Sequence, residues 1–200
     1  LRTVLVPARA AGIPIVITSC GTAGTDAGVD WVAEIAQEIA EEAGLTFTLA
    51  KIYSELTTDT VLAALAERRI AALEPADDLD AETIARCEHI VGLMGHAPIT
   101  DALAAGADLV LTGRASDTAS VAGIALGRGL AAGPTWHAAK TVECGSQCTT
   151  DPLGGGVLVE IDDAGFTIFP LDETSAATPM TVAAHMLYEN ADPYRLREPA

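Results

Sequence analysis

The sequence has few aromatic and few basic side chains, and no apolar run approaches the roughly 20 residues that a membrane helix needs. Phe, Trp and Tyr make up only 4% of the chain, whereas alanine is abundant, which favours a helix-rich interior over an all-β sandwich. Eleven basic residues stand against 28 acidic ones, giving a net charge of -17. Such a chain repels the phosphates of nucleic acids and of anionic lipids, so neither partner is expected.

The spacing of the cysteines does not indicate a metal site. The four cysteines form no CxxC pair, and no His, Asp or Glu spacing is diagnostic of ligands, so no metal site is predicted. No charged-then-apolar leader opens the chain, so we expect a cytoplasmic protein with reduced thiols. A helical pattern is already running at residues 1–10, and we therefore expect further sequence before Leu1.

Strands and helices alternate along the first two thirds of the chain. The β-branched run 13–18 predicts a buried strand, and apolar residues three and four apart from Val29 predict an amphipathic helix ending at Gly44. The same criteria predict further strands at 45–52, 89–95 and 107–112, and helices at 60–72, at 98–105, at 118–126 and as a short stretch ending near Cys87. We therefore predict an α/β domain over residues 1–133, with a mostly parallel, doubly wound (Rossmann-like) sheet.

The pattern changes in residues 134–200, which we interpret as the beginning of a second lobe. A polar loop is followed by two strand-like runs, 156–161 and 166–169, which are joined by a turn and predict a β-hairpin. Pro179 to Glu189 predicts a helix capped by Thr178.

The first candidate site is the glycine-rich turn between the first strand and its helix, with Gly21, Gly24 and Thr25 as substrate-binding residues. Unpaired amides at a helix start attract anions, and glycine allows a ligand to approach closely. The spacing matches neither the dinucleotide fingerprint nor the P-loop, so neither cofactor is implied. A tight turn that merely requires glycine is the alternative.

The second candidate follows the strand 107–112 and comprises Gly113, Arg114 and Asp117. An arginine at the carboxyl end of a parallel strand can bind a carboxylate or phosphate at two points, with Asp117 orienting it as part of the catalytic set. The alternative is a simple ion pair between Arg114 and Asp117.

The third candidate is the polar segment that contains Glu143, Cys144 and Gln147. Glu143 is a candidate general base, Cys144 a candidate nucleophile or proton donor, and Gln147 a candidate substrate ligand. The alternative is a polar loop with an inert cysteine. We expect this segment to lie within side-chain reach of Arg114, and we interpret His185 as structural.

Three segments together resemble the acyclic terpene utilisation (AtuA) family. They are Thr112-Gly113-Arg114 with Asp117, then Glu143-Cys144-Gly145 with Gln147, and the helix from Thr178 to Glu189 before Asp192-Pro193, in the family's order and spacing. Ala184-His185 stand where the family pattern has Glu-Gln. The resemblance implies a place in the breakdown of acyclic terpenes or related branched acids, often near acyl-CoA enzymes.

Two functions fit these features. The first is a catabolic enzyme acting on an anionic organic acid or an acyl-CoA thioester, in a lyase or hydratase step, with CoA entering only as part of the substrate. The second is a non-catalytic subunit that binds an acyl ligand, either as a homo-oligomer or beside a partner acyl-CoA enzyme. In a third, purely structural reading, the glycines serve only as turns.

Overall fold

The computed structural model describes residues 1–73, 76–190 and 192–199. These residues form eight α-helices, a 3-10 turn and five strands. The helices are α1 Arg2–Ala11, α2 Asp26–Ala43, α3 Thr58–Ala66, α4 Ala81–Arg86, α5 Ala97–Ala104, α6 Ala119–Gly127, α7 Ala132–Val142 and α8 Pro179–Met186. The strands are β1 Ile15–Ile17, β2 Leu49–Ile52, β3 Leu109–Thr112, β4 Val157–Ile161 and β5 Phe166–Pro170. The 3-10 turn is Gly145–Cys148.

A small parallel sheet forms the centre of the first part, with strand order β1-β3-β2. The central strand β3 is completely buried, and its Val110 pairs with Val16 on one side and Ala50 on the other. Side chains alternate between the two faces of a strand. Leu109 accordingly packs with Leu5 and residues of α2, whereas Val16 packs with Ile99 and Ala119 on the opposite face.

Helix boundaries follow from local sequence. The side chain of Thr25 accepts a hydrogen bond from the Gly28 amide and begins α2, which ends at Gly44 in the left-handed conformation. Thr178 and Thr181 form a reciprocal capping pair at the start of α8. Helix α3 is capped by Thr57, whose side chain accepts a hydrogen bond from the Thr60 amide.

The structure corrects two predictions about the sheet. It has three parallel strands, too few to be clearly doubly wound or Rossmann-like, so only the mixed α/β class with a parallel sheet is confirmed. The predicted strand 89–95 forms isolated bridges only, from Val91 and Met94. Gly92 interrupts the apolar run and Leu93 is exposed, so this segment buries too little apolar surface to act as an inner strand.

The second part contains the predicted hairpin and helix. β4 and β5 pair antiparallel, with Val159 opposite Ile168, and α8 follows. The proposed boundary at residue 133 falls inside α7, which contacts α6 as well as β4, β5 and α8. The division into two lobes stays a prediction. Within the described ranges, no helix combines the length and apolarity that crossing a bilayer requires.

Candidate functional site

The two glycine-rich turns lie at the same edge of the sheet, because they follow the parallel neighbouring strands β1 and β3. The Arg114 amide donates to the Gly24 carbonyl at 3.1 Å, and the Ser19 amide donates to the Gly113 carbonyl at 3.0 Å. The Ser54 hydroxyl accepts a second bond from the Arg114 amide at 2.7 Å. The turns therefore hold each other through their backbones.

Close backbone packing accounts for the glycines at this edge. A Cβ at Gly24 would lie 2.5 Å from the Arg114 nitrogen, and one at Gly113 would lie 2.3 Å from the Ser54 hydroxyl oxygen. Gly24 also has φ +70°, which side chains rarely tolerate. The tight-turn alternative thus explains these residues without a ligand, and ligand binding by Gly21, Gly24 and Gly113 stays a prediction.

The start of α2 already holds a carboxylate from the chain itself. Glu55 accepts from the Asp26 amide at 2.9 Å, and Thr25 accepts from the Gly28 amide at 3.1 Å. Glu55 also binds His89, and this hydrogen bond lowers the pKa of Glu55 and raises the pKa of His89. A substrate anion at this turn would have to use the remaining amides.

Arg114 and Asp117 do not form the ion pair considered above. No salt bridge among the described residues includes Arg114. Asp117 is exposed, and its carbonyl accepts from the Ser120 hydroxyl at 3.3 Å. Gln147 is also exposed, in the 3-10 turn. The Arg114 guanidinium is therefore a cation that remains available at the edge of the sheet.

A buried ion pair lies at the end of α7. Lys140 and Glu143 bind each other with side chains only 7% and 5% exposed, and the Lys140 ammonium also donates to the Tyr188 carbonyl at 3.1 Å. Burial raises the pKa of Glu143, opposed by Lys140, while Asp117 and Glu198 add to the rise. The sequence singled out Glu143 but not Lys140. Lys140 lies three residues before Glu143, a spacing that places an ammonium and a carboxylate next to each other on a helix.

Cys144 and His185 join Glu143 in one cluster. A carboxylate oxygen of Glu143, the Cys144 sulfur and a ring nitrogen of His185 all lie within 4.8 Å of one another. His185 is 4% exposed, and its Nε2 atom is buried with no hydrogen-bond partner. Although the sequence suggested a structural histidine, the fold places His185 at the polar cluster.

The environment of Cys144 bears on its chemistry. Burial raises the pKa of its thiol, and the negative charges of Glu143, Asp117 and Glu189 raise it further. A thiol that keeps its proton is a weak nucleophile. The raised pKa suits a proton donor better than a nucleophile, and a catalytic role for Cys144 stays a prediction.

A cavity of about 620 Å³ adjoins this cluster through Lys140. Its walls combine apolar groups from α7 and α8 with the segment 192–199. The lining includes His96, Trp136, His137, Lys140, Met186, Leu187, Asn190, Asp192, Pro193, Tyr194, Arg195, Leu196, Glu198 and Pro199. The ring of His96 meets that of Trp136 edge-on at 5.6 Å. Neither Arg114 nor Glu143 is among the residues that line this cavity, so the predicted reach from Arg114 to Glu143 stays a prediction.

Comparison with known proteins identifies the family. Searches of curated proteins and of solved structures found no significant match. The model of the family described as "Acyclic terpene utilisation family protein AtuA" matches residues 1–199, which confirms the resemblance drawn from the three segments. The chain therefore belongs to the acyclic terpene utilisation (AtuA) family.

Proposed function

We propose that this protein is a catabolic enzyme that acts on a branched acyl group carried as a free acid or as a CoA thioester. The family name supports a part in acyclic terpene utilisation. The observation that carries the proposal is the connection, through Lys140, between the apolar-walled cavity and the Glu143 carboxylate, which lies in one cluster with Cys144. A cavity of about 620 Å³ lies within the usual size range for small-molecule sites.

The acyl chain would lie against the apolar walls, with its carboxyl or thioester end towards Lys140. Trp136, Met186 and Leu187 supply apolar surface, and Lys140 is a buried cation on the cavity wall. Glu143 would then accept or donate a proton beside the carbonyl, and Cys144 would act as a proton donor. A lyase or hydratase step needs such a proton transfer next to an activated carbonyl.

The glycine edge is proposed as a second contact, for the anionic part of the substrate. Arg114 is a cation there, next to Gly113 at the end of β3 and bonded through its amide to Gly24. Gly21 and Thr25 belong to the same turn as Gly24, which follows β1. Ligands of open parallel sheets commonly lie at this edge. Asp117 would act through its charge on Glu143 and Cys144. Gln147, exposed in the adjacent turn, would be a further substrate contact.

A panel of acyl-CoA esters and free acids, branched and linear, tests the proposal by thermal shift and by turnover. We expect branched ligands to raise the Tm and to be converted. The variants Glu143→Gln and Cys144→Ser should lose turnover while they still bind ligand. Cys87→Ser, at an exposed cysteine remote from the cavity lining, is the matched control. Binding without turnover by the wild-type protein would contradict catalysis.

That last result would support the alternative, a non-catalytic acyl-binding subunit that acts beside an acyl-CoA enzyme or as a homo-oligomer. One observation favours it: Lys140 and Glu143 already satisfy each other's charge, as in a purely structural pair. In this case Glu143→Gln would leave both ligand affinity and the activity of the partner enzyme unchanged.

A further inference from the structure

We infer that Glu143, Cys144 and His185 form a binding site for one divalent zinc-type cation. The three residues offer a carboxylate oxygen, a thiol sulfur and an imidazole nitrogen, the donor types that Zn²⁺ takes in proteins. The inference deepens the proposed function at the same site. Only the placement of the substrate beside the metal depends on that function, whereas the ligand set does not.

Distances among the three donors suit such a cation. Tetrahedral ligands at about 2.0 to 2.3 Å from Zn²⁺ lie about 3.3 to 3.8 Å from one another. The three donor atoms here lie within 4.8 Å of one another. Side-chain rotations that shorten these separations by about 1 Å would therefore bring the three donor atoms to the ligand distances of one cation.

Fold topology brings the donors together from two separate elements. Glu143 and Cys144 follow the end of α7, and His185 lies in α8, which packs on α7 and on the 3-10 turn. Because Glu143 and Cys144 are adjacent in the chain, one more ligand from α8 completes three. Three protein ligands with one open position are the arrangement found in catalytic zinc sites.

The unpartnered nitrogen of His185 is a second, independent observation. Nε2 is buried and makes no hydrogen bond within the chain. Leaving a buried polar atom without a hydrogen-bond partner destabilises the fold, so native structures rarely keep one without a function. A metal ion bound to an imidazole nitrogen would satisfy it.

Local charge also favours a cation. Four carboxylates, Asp117, Glu143, Glu189 and Glu198, act on this cluster together with the single ammonium of Lys140. This excess of negative charge would repel the carboxylate or thioester oxygen of a substrate. A divalent cation would offset the repulsion and give that oxygen a ligand position.

Lys140 does not block the site. Its ammonium binds Oε1 of Glu143, which leaves Oε2 for the metal. Lys140 would then orient the carboxylate as a positioning residue. In the metal-bound protein, Glu143 and Cys144 serve as ligands, and the Cys144 proton is released to solvent on binding, so the proton transfers proposed above belong to the metal-free protein. The mode of action changes, but the location of the substrate does not.

Metal titration of the full chain tests the inference. The protein is stripped with a chelator and titrated with Co²⁺ and with Zn²⁺, followed by absorption spectroscopy and calorimetry. We expect one ion per chain, with the near-ultraviolet charge-transfer band of a cobalt–thiolate bond. Cys144→Ser should abolish the band, and Glu143→Gln and His185→Gln should each weaken binding by more than about 100-fold, because even outer-sphere changes cost 10 to 100-fold.

Controls separate loss of ligands from loss of fold. Cys87→Ser and His89→Gln alter exposed residues outside the cluster and should bind the metal like the wild type. A measurement on the wild-type chain avoids variants altogether. Zn²⁺ should slow alkylation of Cys144 by iodoacetamide without slowing that of Cys87, as read by site-resolved mass spectrometry. No protection of Cys144, or metal binding that is unchanged in all three ligand variants, would overturn the inference.

Turnover separates this inference from the proposed function. Stoichiometric metal without conversion of any acyl ligand would support the metal site and contradict the enzyme. Conversion by a protein that binds no metal in the titration would support the enzyme and contradict the metal site.

Discussion

The Lys140–Glu143 pair makes a quantitative prediction about stability. Both side chains are almost fully buried, and Lys140 also donates to the Tyr188 carbonyl. Removing one partner of a buried ion pair leaves the other charge unpaired and costs about 3 to 5 kcal/mol. For a chain of 200 residues, each kcal/mol lowers the Tm by about 2 to 4 °C. Lys140→Met should therefore lower the Tm by about 6 to 20 °C.

The double variant distinguishes lost charge from lost packing. Lys140→Met combined with Glu143→Leu removes both charges, and such replacements are often neutral or stabilising. We expect it to recover most of the stability that the single variant loses. Urea unfolding followed by circular dichroism, with chelator present so that bound metal does not contribute, gives the four free energies of the cycle.

A surface pair provides the matched control. Lys51 and Asp30 also form a lysine–carboxylate pair, but their side chains are 39% and 48% exposed. Lys51→Met should destabilise the protein far less than Lys140→Met, because water screens exposed pairs. Equal effects of the two substitutions would show that Lys140 and Glu143 are solvated, and would refute the reasoning.

Three further predictions concern the edge of the sheet. Gly24→Ala should destabilise the protein by about 1 to 3 kcal/mol more than Gly44→Ala in urea unfolding, because both have positive φ but only Gly24 has backbone within 3 Å of the new Cβ. His89→Gln should lower the Tm most between about pH 4.5 and 6.5. The pKa of His89 is raised, so the stability contributed by its protonated ring is complete below pH 6.5 and is lost as the pH rises through the folded-state pKa. The pKa of Glu55 is lowered, so the stability contributed by its carboxylate is complete above pH 4.5. An equal Tm difference at pH 9 would contradict this pairing. Arg114→Met should weaken binding of a CoA ester at least about 10-fold without changing the Tm, as removal of a charged hydrogen bond predicts; unchanged affinity in calorimetry would exclude Arg114 from the site.

Local signals in the sequence were sufficient for several elements. The helix α2 was predicted because its apolar period and the glycine at its end, Gly44, agree. The hairpin of β4 and β5 and the start of α8 at Thr178 were predicted for the same reason. The segment 89–95 has a strand-like composition, but whether it forms a strand depends on whether the sheet offers an edge that would bury it.

The candidate site was predictable only in part. Glu143 and Cys144 stood out because they are polar neighbours in an apolar chain. Lys140 and His185 did not, because their burial arises from the packing of α7 against α8, which no local pattern reveals. The cavity likewise depends on the segment 192–199 meeting α7. Tertiary contacts, rather than propensities, therefore decide which polar residues form this site.

Proton exchange tests the central claim most directly. Branched acyl-CoA esters are incubated in D₂O, with chelator present so that bound metal does not contribute, with the wild-type protein, Glu143→Gln and Cys87→Ser. Deuterium next to the thioester carbonyl is then measured by mass spectrometry. We predict exchange with the wild-type protein and with Cys87→Ser, and at least about 100-fold slower exchange with Glu143→Gln, as loss of a general base predicts. Exchange at the wild-type rate in Glu143→Gln, or bound ligand with no exchange in the wild-type protein, would contradict the account.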